Sequence, residues 1–162
     1  MTNEIELYEE FFQKRKSYYL DKWAKLRNGQ KFSFNVFAFL FGLFWFMYRK
    51  MYIEAIIVFV AIIAESFLEE LILTNNIGQD TRKVISIVGI IVIATIIGFL
   101  GNYFYLRKAD RIIQVAKKKY TDNEQQKIFL KKKGGISFIF LIIILVIILL
   151  LFAYNNYRNF TE

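Results

Sequence analysis

The feature that most constrains this chain is the position of its cations relative to its apolar runs. Of its 22 lysines and arginines, seven lie in residues 14–31 and ten in residues 107–133, and both blocks border long apolar stretches. Three stretches, 51–73, 84–106 and 136–154, are each long enough to cross a hydrocarbon core of about 30 Å. Because cationic flanks stay on the cytoplasmic side of a membrane, the pattern predicts an all-α integral membrane protein.

The composition excludes several kinds of chemistry. The 162 residues include no cysteine, histidine or proline, which removes disulfides, thiol and imidazole catalysis and the usual zinc and haem ligands. The sequence shows no nucleophile–base pair, phosphate-binding glycine loop or metal cluster, so we expect no cofactor and no enzyme. The net charge of +8 lies beside bilayer-length segments, which favours anionic lipid headgroups over nucleic acid.

The amino-terminal segment, residues 1–31, has apolar side chains at three- and four-residue spacing. This spacing predicts one amphipathic helix over residues 4–27. The helix either lies among the lipid headgroups or packs on the protein's own membrane part. Its expected apolar face consists of Ile5, Tyr8, Phe12, Tyr19, Trp23 and Leu26.

Residues 32–154 are expected to form a helical membrane domain, followed by a short tail, 155–162. The aromatic stretch from Val36 to Tyr48 would be roughly 20 Å long as a helix, which is short for a span. If it crossed the bilayer, the cations of the first 31 residues would be exported. We therefore predict an interfacial or re-entrant helix plus three transmembrane helices, with a cytoplasmic amino terminus. Four spans with an external amino terminus are the alternative.

The two spans on either side of the polar turn 74–83 are predicted to form an antiparallel hairpin. Folding it about its midpoint places Glu54 opposite Asn102 and Glu65 near Val92. An ionised side chain near the bilayer centre costs roughly 2.5–3.5 kcal/mol on insertion scales. Such a carboxylate is either protonated and silent or lines a polar path, and Glu54, Glu65 and Asn102 are the candidate polar residues of the membrane part.

Small residues give the span 84–106 one smooth side. They permit the close approach of another helix, either the preceding span or a second copy of the chain. A homo-oligomer is therefore one expected assembly, and a membrane protein partner is another. The small residues are Ala94, Gly98 and Gly101, opposed in the hairpin by Ala55, Ala61 and Ala64.

The basic linker 107–135 is expected to hold helical structure. The span before it should continue as a helix to about residue 120, and Thr121 and Glu124 form a capping box for a second helix that ends before Gly134-Gly135. Cations at these helix ends and after the aromatic stretch would bind anionic lipid or an acidic partner. They are Arg49, Lys50, Lys117, Lys118, Lys119, Lys131, Lys132 and Lys133.

Residues 34–51 read Phe-Asn-Val-Phe-Ala-Phe-Leu-Phe-Gly-Leu-Phe-Trp-Phe-Met-Tyr-Arg-Lys-Met. This stretch resembles a bacterial family of small multi-pass membrane proteins of unknown function, with the pattern Phe-Asn-x-x-Ala-Phe-x-Phe-Gly-x-Phe-Trp-x-x-Tyr-Arg-Lys-Met. Val36 replaces the family's usual Trp and Leu43 its Pro, and the missing Pro favours an unbroken helix. Further similar features extend the resemblance over about residues 18–137; these are Tyr19 with Trp23, Gly101-Asn102 and the lysines before Gly134-Gly135.

The resemblance implies a protein of the bacterial inner membrane and supplies no activity. One hypothesis is a non-enzymatic accessory or scaffold protein whose cytoplasmic face, residues 1–31 and 107–133, binds anionic lipid or an acidic protein. The second is a subunit of an oligomeric small transporter or channel that uses Glu65.

Overall fold

The computed structural model describes residues 2–72 and 78–161, and the secondary structure of this part is entirely α-helical. The predicted all-α fold is confirmed for these residues. In chain order the seven helices are α1 (Thr2–Phe12), α2 (Lys16–Arg27), α3 (Val36–Tyr48), α4 (Tyr52–Ile72), α5 (Gln79–Lys119), α6 (Asn123–Lys133) and α7 (Ile139–Thr161).

The single amino-terminal helix predicted over residues 4–27 is wrong, because the chain forms two helices there. Gln13 and Arg15 have φ angles of 52° and 62°, in the left-handed region that ends a right-handed helix. Tyr8, Phe12 and Tyr19 are buried, whereas Ile5 is exposed. The apolar face therefore packs on the protein itself, which was one of the two alternatives.

Helices α1, α2 and α6 pack with residues 102–119 of α5 into a unit that we call the head. Residues 107–135 alone carry too few apolar side chains for a core, but α1 and α2 supply the missing ones. Tyr105 lies at the centre of an aromatic cluster, with ring centroids 4.8 Å from Tyr19 and 5.7 Å from both Phe11 and Phe12. The buried apolar residues of the head are Leu7, Tyr8, Phe11, Phe12, Tyr19, Tyr105, Leu106, Ala109, Ile113, Ala116 and Leu130.

Two ion pairs join α1 to α6. Lys127 pairs with Glu6 at 2.6 Å, and Lys131 pairs with Glu10 at 3.4 Å. The partners are four residues apart on each helix, so they follow one face of α1 and one face of α6. The acidic amino terminus thus neutralises part of the basic linker.

Helix α5 runs without interruption for 41 residues, which confirms that the span 84–106 continues into the linker. Among the described helices, it alone combines the length and apolar character needed to cross a membrane. Val36–Tyr48 and Ile142–Tyr154 are apolar but shorter. Helix α4 is long enough, but it carries the carboxylates of Glu54, Glu65, Glu69 and Glu70.

Helix α3 is kinked at its middle, and both of its ends contact α5. Asn35, the residue that caps the start of α3, donates its backbone N–H to the Gly98 carbonyl of α5 at 2.8 Å. At the other end, Lys108 of α5 donates to the carbonyl of Arg49 at 3.2 Å. The two contacts lie ten residues apart on α5, or roughly 15 Å along its axis. The expected unbroken helix is wrong, because Gly42 adopts φ 45° and ψ −114° and kinks α3 at its middle.

The register of α4 against α5 differs from the predicted one by about one turn. The Glu65 carboxylate packs against Gly89 rather than Val92. Further along, the Ser86 hydroxyl donates to the Glu69 carboxylate. Residues 79–83 of the predicted turn already belong to α5, and residues 74–77 lie outside the described residues. The prediction folded the hairpin about the middle of a turn at 74–83. Because α5 already begins at Gln79, the helices pair about an earlier point in the chain.

Helix α6 begins and ends near the predicted residues, but its cap is different. Asp122, rather than Thr121, accepts the backbone N–H of Gln125 at 3.0 Å. Gly134 follows α6 directly over the carbonyl of Phe11, where a side chain would collide with backbone. The predicted tail 155–162 continues α7 as far as Thr161.

Helices α3 and α4 pack on each other and on residues 79–101 of α5, and the start of α7, with the preceding Phe138, touches α3 through the ring pairs Phe44–Phe140 and Tyr48–Phe138; we call these four segments the apolar half. Large aliphatic side chains on its surface are more than half exposed: Ile53 by 70%, Leu71 by 73% and Leu150 by 64%. Such a surface is far larger than the apolar patches that soluble monomers expose. The structure therefore divides into a packed, charged head and an apolar half with an uncovered surface.

Candidate functional site

The head meets the apolar half at residues 98–108 of α5, and we call these residues and the side chains that touch them the boundary layer. A buried polar cluster forms its first part. Asn35 caps α3 by accepting the backbone N–H groups of Phe37 and Ala38, and its amide donates to the Asn102 Oδ1 at 2.8 Å. Asn102 in turn donates to the Tyr18 hydroxyl at 2.9 Å and the Ser33 Oγ at 3.0 Å.

This cluster corrects the predicted role of Asn102. The hairpin fold predicted that Asn102 would face Glu54, but its described partners come from α2 and from the start of α3. Both asparagines are at most 2% exposed. A buried amide with satisfied donors and acceptors ties together three chain segments that are far apart in sequence.

Arg49 forms the second part of the boundary layer and is 2% exposed. Its guanidinium lies 4.6 Å from the ring centroid of Tyr19, 5.5 Å from that of Tyr48 and 5.1 Å from that of Tyr105. Its Nη1 donates to the Tyr105 hydroxyl at 3.4 Å. Within residues 2–72 and 78–161 no carboxylate pairs with Arg49. The predicted headgroup cation is thus a buried guanidinium surrounded by tyrosine rings.

Lys108 ties the end of α3 to α5. Its Nζ donates to the carbonyls of Arg49 at 3.2 Å and of Lys50 at 2.6 Å, where a helix end favours a cation. Burial lowers the pKa of Lys108 from 10.5 to about 8, and the nearby carboxylate of Glu54 only partly opposes this shift. The folded protein therefore binds this proton more weakly than the unfolded chain does.

We predict that the free energy of unfolding rises between pH 8 and pH 9.5. In this range the unfolded chain keeps the Lys108 proton and the folded protein loses it, so stability increases by at most about 1.4 kcal/mol per pH unit. Burial also lowers the pKa of Lys50, which adds in the same direction. Thermal unfolding in detergent should show a flatter pH profile for Lys108→Met. The exposed-site variant Lys118→Met should keep the wild-type slope, and equal slopes in both variants would contradict the assignment.

The predicted cations form two groups that differ in their distance from the boundary layer. Lys50 lies at the boundary layer, where its Nζ donates to the carbonyl of Lys132 at 3.1 Å. Lys132 and the neighbouring Lys133 are exposed there, and Lys131 is engaged by Glu10. The carboxyl end of α6 thus lies beside the end of α3, and the binding role of its lysines stays a prediction.

The exposed lysines at the end of α5 lie elsewhere. Lys118 is 13 residues beyond Tyr105, which corresponds to roughly 20 Å along the helix. That distance exceeds the screening length of about 8–10 Å at physiological ionic strength. Lys117 and Lys118 therefore form a distal group at the far tip of the head, whereas Lys119 lines a groove of about 500 Å³ together with Lys132 and Lys133.

The two candidate carboxylates also have different surroundings. Glu54 lies in a groove of about 420 Å³ beside Arg107, Lys108 and Arg111, so its environment is cationic. Glu65 lines a cleft of about 410 Å³ that includes the break in α3 at Gly42. No hydrogen bond joins Glu65 to Thr95 in the described part of the chain, because the Thr95 hydroxyl donates to the Ile91 carbonyl of its own helix.

Sequence reasoning missed Arg15 and Asn35 as parts of this layer. Arg15 stands in the break between α1 and α2, and its guanidinium lies 4.4 Å from the ring centroid of Phe37. Residues 13–15 contain no glycine, proline, asparagine or aspartate that would indicate a turn. Asn35 lies within the stretch that carries the family resemblance, and its pairing with a residue 67 positions away has no local signature.

The comparison with protein families agrees with the resemblance. The model of the family described as "Protein of unknown function (DUF2628)" matches residues 9–111, which is more than half of the chain. The chain belongs to the DUF2628 family. The match begins at Glu9, earlier than expected, and ends before the lysines that precede Gly134-Gly135.

Membership gives this DUF2628 protein no activity, because the family has no function assigned. The role of residues 34–51 as the family's motif stays a prediction. No curated protein and no solved structure matches the chain. The boundary layer and the surfaces on either side of it therefore provide the observations from which a function can be inferred.

Proposed function

We propose that this DUF2628 protein is a non-enzymatic accessory or scaffold protein of the bacterial inner membrane, with its head on the cytoplasmic side. The observation that carries the proposal is the division into two halves. Side chains such as Ile53 and Leu150 are largely exposed on one half, whereas the other half is packed and cationic. Hydrocarbon is the environment in which the first surface is stable, and water is the environment of the second.

The orientation follows from where the cations lie. Residues 14–31, Arg49-Lys50 and residues 107–133 hold most of the positive charge, and all of them belong to the head or the boundary layer. Cytoplasmic segments beside spans carry such an excess. In this arrangement α3 enters the membrane and returns, while α4, α5 and α7 supply the three spans.

The boundary cations Lys50, Lys132 and Lys133 are placed to attract anionic headgroups. A cation near an anionic membrane surface contributes about 1 kcal/mol, and this contribution falls off within a Debye length. The distal lysines are too far away for this role if α5 runs across the bilayer. They suit an acidic protein that approaches from the cytoplasm.

We predict that Lys132→Glu/Lys133→Glu lowers the amount of phosphatidylglycerol that co-purifies with the protein in mild detergent by at least half. The matched control, Lys117→Glu/Lys118→Glu, carries the same change of charge at the distal tip and should keep wild-type lipid content. Mass spectrometry of extracted lipids measures both. Equal losses in the two variants would refute a boundary-specific lipid contact, and protein partners lost only from the control variant would assign the distal group to an acidic protein.

A second candidate function rests on Glu65. Broken helices at membrane depth leave backbone groups free, and such breaks occur where they line a cavity or an ion path. Glu65 shares its cleft with Gly42, the break in α3. An oligomeric transporter or channel subunit would use this carboxylate. Cation flux into proteoliposomes should then be lost in Glu65→Gln and kept in the exposed-site variant Glu70→Gln, and unchanged flux in both would exclude this role.

A further inference from the structure

An apolar cleft of about 550 Å³ opens between α3 and the start of α7. Its volume is within the range of roughly 300–1,000 Å³ that is common for small-molecule sites. We propose that it binds one anionic phospholipid, with the phosphate at Arg15 and Arg49 and an acyl chain along the aromatic wall. This inference rests on the proposed membrane location. The wall residues are Phe37, Phe41, Phe44, Trp45, Phe140 and Ile144.

The charge of the cleft selects an anion. Arg15 and Arg49 both line it, and no carboxylate is among its lining residues. Arg49 is buried, and its Nε has no hydrogen-bond partner in the part of the chain that the structure describes. A buried cation without an opposite charge is costly. Phosphate oxygens supply both the charge and the acceptors, and guanidinium groups match them well.

The wall of the cleft selects an alkyl chain. The rings of Phe44 and Phe140 lie nearly parallel with centroids 6.0 Å apart, which joins α3 to α7. Phe37 and Phe41 stack at 6.4 Å along α3. These rings present apolar faces and offer no hydrogen-bonding groups. A chain of methylene groups gains from burial there, whereas a peptide or a sugar would lose its hydrogen bonds to water.

The cleft lies at a level where both parts of a phospholipid, its phosphate and its acyl chains, would have suitable surroundings. Arg49 belongs to the boundary layer, and the break between α1 and α2 brings Arg15 over the Phe37 ring at the same level. The aromatic wall extends from there into the apolar half. A phospholipid of the leaflet on the head side has its phosphate and its chains in this order.

Trp45 lines the cleft and reports on its occupation. In a Trp23→Phe background, which leaves Trp45 as the single tryptophan, the delipidated protein in detergent is titrated with dibromostearoyl-phosphatidylglycerol. We expect saturable quenching of Trp45 fluorescence by the bromine atoms. Losing a charge-assisted hydrogen bond weakens binding by about tenfold or more, so Arg49→Met should shift the midpoint to about tenfold higher lipid.

Further variants keep the test decisive. Arg15→Gln changes an exposed residue, preserves folding and should also raise the midpoint. Lys14→Gln removes an exposed charge next to Arg15 but outside the cleft, and it should leave the midpoint unchanged. Quenching that grows without saturation, or midpoints unaffected by both arginine variants, would overturn the proposal. Tighter quenching by free dibromostearic acid, which lacks a phosphate, would overturn the phospholipid as the source.

This test is separate from that of the boundary cations. Lys132→Glu/Lys133→Glu is expected to change bulk phosphatidylglycerol and to leave the Trp45 midpoint as in the wild type. If the amount of co-purified lipid stays unchanged in the lysine variant while the midpoint of Trp45 quenching rises in the arginine variants, this result would refute the lipid contact of the boundary cations. It would also support the cleft as a lipid site. The opposite result would refute the lipid site in the cleft and support the lipid contact of the boundary cations.

Discussion

Asn102→Leu is expected to lower the free energy of unfolding by about 2–4 kcal/mol, since a buried polar group left without a partner costs about 1–3 kcal/mol. Leucine has nearly the same shape but cannot accept from Asn35 or donate to Tyr18 and Ser33. Both asparagines are buried in the boundary layer, whereas Tyr18 and Ser33 are half-buried. Thermal or denaturant unfolding in detergent, followed by tryptophan fluorescence, measures the change.

A double-mutant cycle assigns the loss to the asparagine pair. Asn35→Ala removes the cap of α3 and the contact with Asn102, so the two single losses should sum to more than the loss of the double variant. Asn28→Ala, at an exposed asparagine after α2, should cost less than about 0.5 kcal/mol. Strictly additive losses at Asn35 and Asn102 would mean that their hydrogen bond contributes nothing.

Gly101→Ala is expected to destabilise the protein by about 1–3 kcal/mol, the usual cost of overpacking. A Cβ at this position would lie 2.7 Å from the Cβ of Ala38 on α3. Both atoms are attached to helix backbone, so neither can move without shifting α3 away from α5. Unfolding curves in detergent measure the loss.

A swap of the two small residues tests the same contact from the other side. Ala38→Gly combined with Gly101→Ala removes the clash, and the next atoms belong to Trp45 at 3.4 Å and 3.6 Å. The double variant should therefore regain most of the stability that Gly101→Ala loses. Gly78→Ala has no atom within 4 Å of the new Cβ and serves as the neutral control. A swap that is less stable than Gly101→Ala would refute the predicted contact.

Sequence reasoning performed best where the signal is local. The continuation of the apolar span into α5 as far as Lys119, and the end of α6 before Gly134, follow from helical periodicity and from glycine and lysine at helix ends. Both depend on residues within a few turns of one another. The choice of Asp122 over Thr121 as the cap shows the usual precision of one or two residues at helix ends.

Two breaks inside predicted helices were missed, one between α1 and α2 and one at Gly42. Gln13 and Arg15 adopt left-handed backbone angles because packing of α1 and α2 on α5 requires a sharp turn there. At Gly42 the absence of proline suggested an unbroken helix, but glycine itself permits φ 45°. Tertiary packing, rather than local preference, decides both positions.

The tertiary partners of the small residues and of the buried arginine could not be predicted from a single sequence. Gly98 faces Phe34, which precedes α3, and Gly101 faces Ala38 of α3, although the predicted hairpin assigned that smooth side to α4 or to a second copy of the chain. Arg49 was expected at the lipid surface, but the aromatic residues of α2 and α5 enclose it. These contacts join residues some 30 to 60 positions apart, and composition carries no information about them.

The most direct test of the account asks on which side of the membrane the chain lies before and after α3. The chain has no cysteine, so single cysteines at Gln30, Asp80 and Lys118 can be labelled with an impermeant maleimide on spheroplasts. All three positions are exposed in the structure. A re-entrant α3 with a cytoplasmic head predicts labelling of Asp80→Cys alone, with Gln30→Cys and Lys118→Cys reacting only after permeabilisation. Labelling of Gln30→Cys on sealed spheroplasts would contradict it.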